Sequence, residues 1–101
     1  MNTLEKLQAL LSNVPREYAK GYYYKDLAPS VVCGDGTTVS VQASKNHYCT
    51  PRANKGPYTH VEVWQASAPV TEFDYDSEEP SAYVPIEKVV EFIDNHGGMA
   101  N

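Results

Sequence analysis

The sequence has little of what most often announces a chemistry. Two cysteines in 101 residues are too few for a disulfide scaffold, and no C-x2-C or H-x3–5-H pair offers zinc-ligand spacing. Three histidines, His47, His60 and His96, fall on separate segments. The acids follow no calcium-loop pattern, and Gly34-Asp35-Gly36 leads into a strand-like run rather than a helix, so the phosphate-loop context is missing. No metal and no cofactor are expected. Apolar runs stay far below the roughly 18 residues of a membrane span, and the chain does not start with the basic-then-apolar layout of a signal peptide. A cytoplasmic protein is expected. Basic residues are scarce: 8 Lys+Arg face 13 Asp+Glu, for a net charge of −5. A general duplex-DNA binder, which needs clustered cations, is excluded.

What is present is an ordinary apolar content of 42% and an aromatic set dominated by 8 tyrosines, beside 2 Phe and 1 Trp. That length and composition fit a single small domain over residues 1–101 with one modest core. The charge is uneven. Residues 1–15 are neutral, residues 16–55 carry +3 and residues 56–101 carry −8.

Leu4, Leu7, Leu11 and Val14 recur at helical spacing, widened by Leu10, and predict a helix over residues 3–13 with Thr3 as N-cap. Glu5, Lys6 and Gln8 are expected to face water, and Pro15 ends the element. Residues 16–29 show no clean period. They are read as irregular, with a helical turn allowed over 16–20 before Gly21, and a Tyr22-Tyr23-Tyr24 run of unassigned role. Ser30 to Cys33 and Thr37 to Ser44 flank a Gly-Asp-Gly turn and predict a hairpin, with Val39, Val41 and Ala43 on one face. Thr59 to Ala66 predicts a third strand, Val61 and Val63 inward and His60, Glu62 and Trp64 on the other side. Val84-Pro85 announces a closing helix with Ile86, Val89, Val90 and Ile93 as its stripe, and His96-Gly97-Gly98 supplies its C-cap. The expected fold class is α+β, an antiparallel sheet of three to four strands with the N-terminal and C-terminal helices packed on one face.

Two long loops are the candidate binding surfaces. Residues 45–58 hold three cations and no acid. Lys45, Arg52 and Lys55 are placed to hold phosphate, with Tyr48 or Tyr58 to stack on a base, as in single-strand binding. Residues 69–82 hold Glu72, Asp74, Asp76, Glu78 and Glu79 and no base. There Phe73 and Tyr75 alternate with the acids, so an extended backbone puts charge on one side and rings on the other. Cys33 reads as a small buried residue of a strand and Cys49 as a loop or strand-end residue. A triad of Cys49, His47 or His60 and Asp35 lacks any surrounding nucleophile signature, so no catalytic residue is assigned and a non-enzyme is expected.

The words Val39-Ser-Val-Gln-Ala-Ser44, Tyr48-Cys-Thr-Pro-Arg52, Gly56-Pro-Tyr58, Val61-Glu-Val63 and Tyr83-Val-Pro85 through His96-Gly-Gly98 resemble a family of small bacteriophage and prophage accessory proteins. The resemblance spans residues 30–98 and carries no functional residue with it. It implies a mobile-element setting, in which small acidic proteins occupy a surface of a host defence system such as a CRISPR effector. The expected partner is a host protein complex, met by the acidic loop with Phe73, Tyr75 and Trp64 as anchors. Direct binding of a nucleotide or single-stranded nucleic acid by residues 45–58 is the alternative. A monomer, or a homodimer through the polar face of the third strand, is expected.

Overall fold

The computed structural model describes residues 1–15, 17–19, 23–25 and 27–101, with side chains described for all of these except 17–19 and 23–25. Helix α1 spans Thr3–Ser12. Its N-cap is Asn2 rather than Thr3. Asn2 Oδ1 accepts the Glu5 N–H at 2.8 Å, and Glu5 Oε1 accepts the Asn2 N–H at 3.4 Å. This capping box satisfies two N–H groups at once, which a Thr3 cap would not. The Thr3 hydroxyl instead donates to Asp94 on the last helix. Leu7 and Leu11 are fully buried, whereas Leu4 lies outside the stripe and is exposed.

Strands β1, Glu17–Ala19, and β2, Tyr23–Lys25, pair antiparallel in a two-stranded ladder of their own. This corrects the irregular reading at residues 17–19 and 23–25, while residues 27–29 carry no regular structure, as expected. A ladder satisfies backbone groups that an isolated helical turn leaves open, and tyrosine favours extended backbone. Gly21 and Tyr22 lie outside the described residues.

The main sheet has the order β3-β4-β5-β6, antiparallel throughout: Val31–Val32, Thr38–Gln42, His60–Trp64 and Ser81–Pro85. The expected hairpin is β3–β4, with Val31 opposite Val39 and Gly36 at φ 91° in the turn. The fourth strand falls where a loop was expected to run to residue 82. Ser81 to Pro85 gain their backbone partners from β5, and Pro85 sits at the strand end, then serves as N-cap of α2 (Ile86–Asn95). One extra residue in β6 makes a bulge: Val84 faces Val61, but Ser81 faces Val63.

Helices α1 and α2 pack on each other, and α2 on β6. Leu7 and Leu11 of α1 and Val89, Phe92 and Ile93 of α2 join Val39, Val41, Val61 and Val63 in one core, all fully buried. Each such side chain stabilises the fold by roughly 1.5–3 kcal/mol. Strands β4 and β5 therefore turn their valines into this core and keep a second face for other work.

The C-terminal end of α2 closes on the hairpin turn. Gly97 (φ 95°) and Gly98 (φ 82°) reverse the chain, as the His96-Gly97-Gly98 cap predicts. Gly34 N–H then donates to Gly98 O and Asp35 N–H to His96 O, both at 2.9 Å. A Cβ on Gly34 would lie 2.5 Å from Gly97 O, so glycine here permits a close approach of two backbones.

Candidate functional site

The acidic loop is tied to the fold by its own side chains. Phe73 is half-buried and sets its ring edge-on to Phe92, with centroids 6.4 Å apart, and edge-on to Tyr75 at 6.3 Å. The Tyr75 hydroxyl accepts the Ala66 N–H at 3.0 Å, and the Trp64 indole N–H donates to Ser77 O at 3.3 Å. Glu72 accepts from the Asn95 amide at 3.0 Å. Burial acts to raise the Glu72 carboxyl, but the Asn95 bond and the Thr71 and Glu72 amides outweigh it and leave it below its ordinary value. Asp76 Oδ1 accepts the Glu78 N–H at 2.8 Å in a tight turn. Asp74, Asp76, Glu78 and Glu79 are exposed. The rings thus point inward as structural ties, and the carboxylates point out.

The basic loop is arranged differently from its expectation. Tyr58 is only 1% exposed and donates its hydroxyl to Ala53 O at 2.7 Å, so its ring has no face to offer a base. This corrects its place among the stacking candidates. The reason is tertiary: Gln8 of α1 grips the Tyr58 backbone and draws the ring inward. Tyr48 is 52% exposed, with the Arg52 guanidinium carbon 5.4 Å from its ring centre. Arg52 Nε donates to Lys45 O at 3.2 Å, and Lys45 and Lys55 are exposed. Cys49 lies buried in this loop, its thiol donated to Ser44 O at 3.1 Å. Burial pushes the Cys49 and Cys33 thiols up, and Asp35 adds to the rise at Cys33. Both are therefore protonated and shielded, the opposite of an activated nucleophile.

Beside these loops the unvalined face of the sheet forms a groove of about 420 Å³. In the β4–β5 register Ser40 stands opposite Trp64, and Gln42 opposite Glu62, so four side chains make one tile. Gln42 is 8% exposed. Its amide holds Ala28 by N–H (2.7 Å) and C=O (3.0 Å) and donates to Ser40 Oγ at 3.0 Å. Glu62 Oε2 accepts the Tyr48 N–H at 2.9 Å, and its Oε1 has no partner among the described residues. His47, bonded through Nδ1 to Ser44 Oγ at 2.7 Å, and Leu27, 69% exposed, complete the walls. Pro80 belongs both to this groove and to a second depression bounded by Asp74, Asp76 and Glu79. The alternation of polar residues on β4 and β5 was readable as a half-exposed face. Its closure into a groove was not.

Tyr83 carried no signal in the sequence as a site residue. It lies in the β6 bulge at φ 52°, a backbone conformation unusual for a bulky side chain. Its ring is 47% exposed and packs on Tyr48, with centroids 5.9 Å apart.

Among the described residues no three His, Cys, Asp or Glu side chains gather as metal ligands, and no helix is long and apolar enough to cross a membrane. Comparison with protein families, curated proteins and solved structures finds no match to this chain.

Proposed function

We propose that this chain is a docking protein that presents its acidic loop to a basic groove on a partner protein. The observation that carries this reading is the loop's preorganisation. Glu72, Phe73, Tyr75 and the Trp64–Ser77 bond anchor it to the fold, while Asp74, Asp76, Glu78 and Glu79 stand in solvent. A charged surface already held in its binding shape loses little conformational entropy on association, and clustered like charge speeds encounter with the opposite sign. The phage-type resemblance supports the setting: a host cytoplasm, and a nucleic-acid-handling defence complex such as a CRISPR effector as the partner. The test compares capture from host lysate by the wild type and by a variant carrying Glu72→Gln, Asp74→Asn, Asp76→Asn, Glu78→Gln and Glu79→Gln, at low and raised salt. Salt-sensitive capture, lost in the variant, is expected. Equal capture by both proteins removes the acidic loop from the account.

One observation favours a second reading, single-strand binding by the basic loop: Arg52 stacked over the exposed Tyr48 ring. Lys45 and Lys55 would add phosphate contacts, with Tyr58 no longer in the set. Fluorescence polarisation with labelled oligonucleotides at low salt decides it. No binding there eliminates the reading.

A further inference from the structure

The groove on this sheet face shares Trp64 with the acidic loop through the Trp64–Ser77 bond, and the rest of its lining has a definite chemistry of its own. Among the described residues it presents one carboxylate oxygen without a partner, on Glu62, beside the indole of Trp64 two residues along the same strand. Neighbours at that spacing on one strand face stand about 7 Å apart, the span of a planar cation lying on the ring and reaching the acid. Across the tile, Gln42 spends both amide hydrogens on Ala28 and Ser40, which leaves the Ser40 hydroxyl hydrogen to donate elsewhere. No lysine or arginine lines the groove among the described residues. Pro80 also borders the depression lined by Asp74, Asp76 and Glu79, so among the described residues the Lys, Arg, Asp and Glu side chains of the two sites are all acids.

The geometry points to a specific occupant: an arginine side chain of the partner protein, stacked on Trp64 and ion-paired to Glu62, with the flanking chain lying toward the acidic depression. Arginine fits better than lysine. Its guanidinium is flat, sheds water more readily and stacks on aromatic faces while it donates in the ring plane. The chain uses the same pairing internally one residue cluster away, where Arg52 lies over Tyr48. This inference rests on the docking reading above and adds to it the residue that the partner inserts.

Trp64 is the single tryptophan of the chain, so emission excited where tyrosine does not absorb reads this groove together with the Ser77 end of the acidic loop, which the indole N–H holds. The probe is a short peptide of alternating arginine and glycine, with a citrulline counterpart that keeps the shape and lacks the charge. A labelled copy of the arginine peptide gives overall binding by anisotropy. The wild type is expected to show a saturable change in Trp64 emission with the arginine peptide and none with citrulline. Glu62→Gln, which retains an acceptor for the Tyr48 N–H, should weaken binding roughly tenfold or more. In the five-residue acidic-loop variant the Trp64 response should persist at higher peptide concentration. If the labelled peptide binds and depends on the loop acids, while Trp64 emission and the Glu62→Gln affinity do not change, the groove inference is overturned and the docking loop stands. If the wild type binds neither peptide in either readout, the groove inference fails outright, and the lysate comparison alone then judges the loop.

Discussion

Gln8 holds Tyr58 by both of its backbone polar atoms: the amide oxygen accepts the Tyr58 N–H at 2.8 Å, and the amide nitrogen donates to Tyr58 O at 2.7 Å. The clamp joins the first helix to the end of the basic loop, fifty positions along the chain. It explains why Tyr58 is a core residue and why Gln8 does not face water. Gln8→Ala removes both of these hydrogen bonds in a half-buried place and should cost about 1–3 kcal/mol in urea unfolding. A loss within about 0.5 kcal/mol, the ordinary range for surface substitutions, would show that solvent replaces the clamp freely.

Tyr83 adopts φ 52° inside a strand bulge, where a bulky residue is strained by roughly 1–2 kcal/mol relative to glycine. The strain should invert the usual strand preference. Tyr83→Gly is expected to be more stable than Tyr83→Val by at least about 1 kcal/mol, although valine is the better strand former. Thermal or urea unfolding of the two variants reads the difference, and a valine variant equal to or above the glycine variant would contradict a strained backbone at this position.

The Asp35 carboxylate accepts the Thr37 N–H at 2.8 Å and meets His96 Nδ1 at 2.8 Å. The Thr37 backbone bond first, then the Thr37 and His96 side chains, lower its pKa from 3.8 to about 2. A depressed carboxylate contributes stability that is complete above its ordinary value and is lost as pH falls through the folded value. The hairpin–helix closure should therefore weaken between about pH 4 and pH 2, with no contribution from this group to changes near neutrality. Direct NMR titration of the Asp35 carboxyl should give a midpoint near 2. A midpoint near 3.8 would mean that the Thr37 and His96 contacts do not persist in solution.

Cys33 and Cys49 are 1% and 2% exposed, with both thiols raised by burial. Both should react slowly with a thiol reagent in the native protein at neutral pH and quickly in denaturant. Rapid native labelling of Cys49, measured in a Cys33→Ser background, would restore the case for a reactive thiol.

The helix stripe of Leu7 and Leu11, the hairpin at Gly34-Asp35-Gly36, the inward valines of the two longer strands and the cap at Gly97 were all legible in the sequence. Each depends on a period or a turn that lies within a few residues of itself, so local chemistry suffices to place it. In the acidic loop Phe73 and Tyr75 are half-buried and Asp74 and Asp76 exposed, whereas Glu72 sits half-buried in a bend beside Phe73. What the tertiary structure decided involves partners far apart in the chain. Residues 81–85 become a strand because β5 supplies their hydrogen bonds, and Gln8 turns inward because Tyr58 offers it two backbone atoms. Tyr83 takes a left-handed backbone because a bulge needs one extra residue there. The groove beside Glu62 and Trp64 exists because strand register sets Ser40 and Gln42 opposite them. Pairing energies between distant segments leave no mark on local periodicity. The sequence therefore determined which face of each element is apolar, and the register of the sheet determined what the other face can bind.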